Sequence, residues 1–185
     1  MSAFVSKETL KVLIEGGLPW PDVKEIMSAT VKDSDRFGKY IEILQERVPW
    51  DDKILLPIGL HLFIVEKGDG ERVVKCECDY EFGDYRVNWK LRALIYVRDN
   101  EEKLDEIYPG LWKPSPEIWE IREFYCPKCG RQLEVESVPH GYPLIFDFLP
   151  DLDAFYSKWL GKPLKTSGQL EDKTPQFIKN EFIGK

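Results

Sequence analysis

Four cysteines in two close pairs constrain this sequence more than any other feature. One residue separates Cys76 from Cys78, and two residues separate Cys126 from Cys129. The two-residue spacer lets both sulfurs of a turn converge on one ion, and Gly130 supplies a permissive backbone conformation after the second ligand. The one-residue spacer requires a turn or a strand end, because alternate strand residues share one face. Together the pairs predict a structural zinc site with four thiolate ligands.

Two other interpretations of the cysteines remain open on the residues alone. The four side chains could be buried free thiols, or Cys126 and Cys129 could form a redox dithiol. Strand patterns flank the second pair on both sides, whereas a redox dithiol is typical of a helix N-terminus that follows a strand. Catalytic zinc usually has His or carboxylate ligands and an open position. Because His61 and His140 lie outside the cysteine pairs, we interpret both as structural hydrogen-bonding residues.

Charge and motifs exclude several classes of function. A net charge of −7, without any run of Lys and Arg, argues against a nucleic-acid partner. No apolar run reaches the roughly 18 residues that a membrane helix needs, and the N-terminus does not resemble a signal peptide. We therefore expect a cytoplasmic protein, whose reducing surroundings favour metal binding over disulfides. The sequence contains no GxxxxGK[ST], GxGxxG or HExxH motif, and we interpret Asp51 and Asp52 as part of a charged loop.

Hydrophobic periodicity predicts an α+β fold, with a small β-rich, zinc-ribbon-like domain, a few flanking helices and extended terminal arms. We predict helices at 6–15, 34–48, 101–108 and after Asp151, which is a suitable N-cap. We predict two short strands within 54–65 and further strands at 87–97, 117–125 and 133–135. The predicted organisation is an N-terminal arm at 1–33, a zinc-stapled domain at 34–162 and a C-terminal tail at 163–185.

The terminal segments indicate a protein partner. Both carry apolar residues, such as Trp20 and Phe182, but too few to form cores of their own. Segments of this kind can become ordered on a larger partner and wrap its surface. We expect both arms to dock on larger subunits.

Several segments in one order resemble the gamma subunit of acetone carboxylase. They are YIEILQERVPWDDKILLPIG at 40–59, CEC at 76–78, NWKL at 88–91, VRD at 97–99, EIYP at 106–109, CPKCG at 126–130 and FYSKWLG at 155–161. The resemblance extends over about residues 35–163, and it is far more specific than any single motif within it.

The resemblance implies a small subunit of a biotin-independent, ATP-dependent ketone carboxylase that joins acetone and bicarbonate to give acetoacetate. In that family, large alpha and beta subunits carry nucleotide hydrolysis, a divalent transition metal and carboxylation. The gamma subunit binds zinc through cysteines that correspond to Cys76, Cys78, Cys126 and Cys129. Acetophenone carboxylases also have a small zinc-bearing subunit, so an aromatic ketone is the alternative substrate. The competing interpretations are a stand-alone zinc-ribbon binding protein and an independent redox or metal enzyme.

Overall fold

The structure is a computed structural model of the chain, and it describes residues 4–31, 33–110, 112–166 and 168–183. It contains two antiparallel sheets and a few short helices, which confirms the predicted α+β class. Within these ranges, no helix has the length and apolar character needed to cross a bilayer.

The first sheet has four strands in the order β1-β2-β3-β4. They are β1 (Lys53–Pro57), β2 (Leu62–Glu66), β3 (Arg72–Cys76) and β4 (Glu81–Asp84). The prediction of two short strands within 54–65 is confirmed, and Pro57 ends the first of them. Strands β2 and β3 are buried along almost their whole length, so this sheet forms the main core.

The second sheet has three strands in the order β5-β6-β7. They are β5 (Leu94–Arg98), β6 (Trp119–Tyr125) and β7 (Gln132–Pro139). The strands predicted at 117–125 and 133–135 are confirmed, although β7 is longer than its apolar residues indicated.

The strand predicted at 87–97 is wrong in its first half. Trp89–Arg92 forms a 3₁₀ turn, and the strand begins only at Leu94. The side-chain oxygen of Asn88 accepts a hydrogen bond from the amide of Lys90 at 3.1 Å, which favours a turn over an extended chain. Neighbouring Trp89 and Lys90 are both buried, so the apparent alternation does not correspond to two faces of a sheet here.

Helices lie before, between and after the strands. They are α1 (Lys7–Ile14), α2 (Trp20–Ser28), α3 (Arg36–Gln45), α4 (Glu101–Asp105), α5 (Leu152–Ala154) and α6 (Thr174–Ile178). Helix α5 continues as a π-helical turn over Phe155–Trp159, and α6 continues in the same way over Lys179–Ile183. As predicted, the Asp151 carboxylate caps α5 by accepting from the Ala154 amide at 2.9 Å.

Both terminal segments contact the rest of the chain. In the N-terminal segment, Val5 and Leu10 bury their side chains against Ile43 of α3. In the C-terminal segment, the Thr174 hydroxyl accepts from the Asn88 amide at 2.9 Å, and Thr166 supplies a carbonyl to Arg72. The last part of the tail is helical, where an extended arm was expected.

An aromatic chain joins the two sheets. Phe82 of β4, Trp89 and Phe124 of β6 follow each other in edge-to-face contacts, with ring centroids 5.7 and 5.9 Å apart. Cys76 and Cys126 belong to the same buried cluster and are fully shielded from solvent. The cysteines therefore lie at the junction of the two sheets.

Candidate metal centre

Each cysteine pair lies in a turn between two neighbouring strands. Cys76 ends β3 and Cys78 lies in the turn to β4, while Cys126 and Cys129 lie in the turn from β6 to β7. The amides of Cys76 and Cys126 each donate across their turn, at 2.8 and 2.9 Å. Each sheet thus supplies one of the two cysteine pairs.

The two turns share a backbone conformation. The residue that follows the second cysteine has a positive φ in both cases, +80° at Asp79 and +68° at Gly130. This left-handed conformation reverses the chain so that both sulfurs of a pair point the same way. The glycine at the second turn was expected, whereas the aspartate at the first was not identified from the sequence.

The sulfur positions fit a tetrahedral metal. All four Sγ atoms lie within 4.8 Å of one another, with Cys76 to Cys129 at 3.9 Å and Cys78 to Cys126 at 3.6 Å. A tetrahedron with Zn–S bonds of about 2.3 Å has sulfurs about 3.8 Å apart. The spacings also lie far above the roughly 2.05 Å of a disulfide, so all four thiols are free. The structure therefore brings all four predicted residues together in an arrangement that could hold a metal ion.

Ionisation of the thiols depends on their burial. Burial raises the pKa of the Cys76 and Cys78 thiols above the usual range. Burial acts in the same direction on the pKa of Cys129, but the backbone amide of Arg131 and the neighbouring thiols outweigh it and lower that pKa. Because metal ligands must be thiolates, metal binding at this site releases protons.

A polar network around Glu77 links the two turns. Its carboxylate Oε2 lies 2.7 Å from Nδ1 of His61 and accepts from Nη1 of Arg131 at 2.6 Å. Its carbonyl accepts from the Trp50 indole at 3.2 Å. Glu77 lies between the first two cysteines, and Arg131 follows the second pair, so this ion pair spans the site from one sheet to the other. Sequence reasoning missed this role of Glu77, although its position between two ligands was visible.

The other polar residues considered from the sequence lie elsewhere. Nδ1 of His140 lies 3.4 Å from the carboxylate of Glu120, outside the cysteine cluster. Asp52 pairs with Lys75 at 2.5 Å, while Asp51 is exposed. In the described ranges, the cysteines are the one group of three or more His, Cys, Asp or Glu residues with side-chain atoms close enough to share a metal.

A buried lysine near the second sheet is fully engaged in ion pairs. Lys90 is 1% exposed, and its Nζ lies 2.6 Å from Glu134, 3.3 Å from Glu136 and 3.1 Å from Asp147. Burial lowers its pKa, but the carboxylates of Glu134 and Asp147 raise it by more, so the net pKa lies above the usual range. A lysine nucleophile needs the opposite shift. Lys90 is therefore a buried cation that is held by three carboxylates.

Comparison with known proteins places all four cysteines in a matched region. A family model described as acetone carboxylase gamma subunit matches residues 48–160. The chain is 48% identical to the acetone carboxylase gamma subunit of Xanthobacter autotrophicus over 153 residues, covering 82% of this chain and 90% of that protein. It is 32% identical to the acetophenone carboxylase beta subunit of Aromatoleum aromaticum over 84 residues, which cover 44% of this chain and 65% of that protein.

Proposed function

Because the chain belongs to the acetone carboxylase gamma-subunit family, we propose that it is the small subunit of a biotin-independent, ATP-dependent ketone carboxylase. The reaction joins acetone and bicarbonate to give acetoacetate. The observation that carries this proposal is the 48% identity over 90% of a curated gamma subunit. Acetone is favoured over an aromatic ketone because the acetophenone carboxylase subunit is less similar and matches over a shorter stretch.

The partners in this proposal are large alpha and beta subunits. They bind ATP and bicarbonate, hold a divalent transition metal and carry out the carboxylation, which makes the whole complex a ligase. The absence of a phosphate-binding motif from the sequence supports this division of labour. We place the complex in the cytoplasm, where reducing conditions keep the cysteines available to a metal.

The proposed role of this subunit is structural. Cys76, Cys78, Cys126 and Cys129 would hold one zinc ion, and the spacing of their sulfurs supports that assignment. Four thiolates close the coordination shell, so the ion would act as a cross-link between the two sheets, with no open position for a substrate. The assembled zinc-bearing unit then supports the complex in which the large subunits act.

Reconstitution tests this function. The large subunits are co-expressed with and without this chain, and acetone-dependent ATP hydrolysis and incorporation of labelled bicarbonate are measured. We expect turnover from the complete complex and none from the isolated small subunit. Acetophenone in place of acetone is the matched control for the substrate. Acetone-dependent turnover by the isolated chain, or full activity of the large subunits without it, would contradict the proposal.

A further inference from the structure

Strand β5 has an outer side that is unpaired in the described part of the chain. One step beyond the β6–β7 ladder, the His140 amide donates to the carbonyl of Ile118. Along a strand, the amide and carbonyl of successive residues point to opposite neighbouring strands. Since Ile118 bonds towards β7, the even-numbered residues of β6 bond to β7, and the odd-numbered residues bond to β5. The β5 residues paired with those odd-numbered positions are Leu94, Tyr96 and Arg98. The main-chain groups of Ile95 and Val97 therefore point away from the sheet.

Most of these outward groups lack a partner. Lys103 Nζ donates to the carbonyl of Val97 at 2.9 Å. Among the described residues, no other group contacts the outward amide and carbonyl of Ile95 or the amide of Val97 at hydrogen-bonding distance. An edge of this kind offers donors and acceptors at the spacing that another strand requires.

Both edges of the first sheet are protected. At β1, the side-chain oxygen of Gln45 from helix α3 accepts from the amide of Ile54 at 3.0 Å. The pairing of β1 also contains a register shift. At β4, Gly83 has a φ of +89°, and the guanidinium of Arg92 lies against it. Bulges, helices and charged side chains are the devices by which natural proteins prevent edge-to-edge pairing.

The far edge of the second sheet is protected as well. Strand β7 pairs with β6 through a register shift and carries Glu134 and Glu136, which point to the buried Lys90. Inward-pointing charges and bulges both oppose the addition of a further strand. Strand β5 is the least protected of the four edges of the two sheets.

Strand β5 has only one of these protections, the Lys103 side chain that donates to the carbonyl of Val97 near the end of the strand. It pairs with β6 without any register shift, and its first four residues are Leu, Ile, Tyr and Val. Leu94 and Tyr96 are 55% and 37% exposed on one face, and Ile95 is 42% exposed on the other. Arg98 at its end is buried and paired with Glu123. An apolar edge that is open on both faces predicts aggregation unless another chain covers it.

We propose that β5 pairs with an extended segment of a large carboxylase subunit, which adds a fourth strand to the second sheet. This inference rests on the proposed function. The amide and carbonyl of Ile95 and the amide of Val97 would make the main-chain hydrogen bonds. The partner strand would carry apolar side chains next to Leu94 and Tyr96 on one face and Ile95 on the other. A second copy of this chain fits less well, because two chains that each carry a net charge of −7 repel each other.

Hydrogen exchange tests the main-chain pairing. The full chain is measured alone and in its complex with the large subunits, and exchange is followed in the peptide that spans 94–98. We expect the outward amides of Ile95 and Val97 to exchange fast in the isolated chain and at least about tenfold more slowly in the complex, since paired strand amides are protected. Unchanged exchange in the complex would overturn the inference, because contact through side chains alone leaves these amides open.

Two substitutions at one position test the affinity. Ile95→Pro removes the outward amide, and Ile95→Lys keeps it but places a charge on the edge. We expect each to weaken binding to the large subunits at least about tenfold, or about 1.4 kcal/mol. Ile145→Lys changes an isoleucine that is also 42% exposed, in the segment after β7 and outside both arms, and is the control, expected to bind normally. Melting curves and zinc content of the isolated variants show that they are folded.

The outcomes separate this inference from the function beneath it. If both Ile95 variants bind the large subunits as tightly as the wild-type chain does, the β5 pairing is overturned and the proposed function stays intact. Failure of the wild-type chain to bind the large subunits overturns both. If the isolated wild-type chain dimerises and the Ile95→Lys variant is monomeric, the β5 edge binds a second copy of this chain. That result would overturn the proposed partner.

Discussion

Glu77 is the residue that connects the two cysteine turns without belonging to the cysteine cluster. Its carboxylate lies 2.6 Å from Arg131 and 2.7 Å from His61. Residues that orient metal ligands typically contribute about 10- to 100-fold to metal affinity. We predict that Glu77→Ala lowers the zinc affinity of this chain by roughly that factor, measured by competition with a chelator. Glu71→Ala removes an exposed carboxylate outside the site and should have no effect. Equal zinc affinity in both variants would contradict the role of Glu77.

Tyr156 should make stability depend on alkaline pH. Its buried hydroxyl donates to the carbonyl of Leu55 at 2.8 Å, and burial raises its pKa to about 12. Tyrosine in an unfolded chain titrates near about pH 10. The fold thus favours the neutral form, and this stabilisation is complete below about pH 10 and is lost as the pH rises towards about 12.

The Tyr156→Phe variant tests this assignment by urea unfolding at pH 8 and at pH 11. At pH 8 it should be less stable by about 1 kcal/mol, because the Leu55 carbonyl loses its donor. At pH 11 the difference from wild type should shrink. Tyr108→Phe changes an exposed tyrosine and serves as the control. A difference that stays constant between the two pH values would show that Tyr156 does not titrate with unfolding.

At the scale of elements, hydrophobic periodicity predicted those helices and strands that depend on local sequence patterns. Strands β1, β2, β6 and β7 and helices α1, α3 and α4 follow apolar spacing and turn residues that are visible in the sequence. The cysteine spacing likewise predicted which four residues come together. Side-chain contacts between distant segments were not predictable. Asn88 converts an alternating pattern into a turn, and it does so with support from Thr174, far along the chain.

The turn at Trp89–Arg92 provides a prediction at this scale. Asn88 is 1% exposed, accepts from the Lys90 amide and donates to the Ile145 carbonyl at 3.0 Å. Asn88→Ala leaves the buried Lys90 amide and the Ile145 carbonyl without their side-chain partner, so we predict a loss of about 2 kcal/mol in the free energy of unfolding. Asn100→Ala removes the comparable cap of the exposed helix α4 and should cost about 1 kcal/mol or less. If chemical denaturation shows Asn88→Ala to be as stable as wild type, the turn is held by other contacts.

At the scale of the whole molecule, two small sheets are held together by an aromatic chain and the cysteine cluster. Structural zinc in small domains contributes on the order of 10–16 kcal/mol of apparent binding free energy. We predict that Cys126→Ser loses the metal and has a much lower melting temperature, since Cys126 is the fully buried ligand from the second sheet. Ser137→Ala in β7 is a control that leaves the cluster untouched. Retention of zinc and melting temperature by Cys126→Ser would rule out Cys126 as a zinc ligand.

Membership of the complex and the zinc site together form the central claim, and native mass spectrometry tests both in one measurement. The chain is co-expressed with the large subunits, purified through a tag on one of them, and its mass is recorded intact and after mild dissociation. We predict a hetero-oligomer that contains this chain, and a released small subunit with the 21.7 kDa mass of the chain plus one zinc ion. A small subunit that does not co-purify, or one released from the complex without metal, would contradict the account.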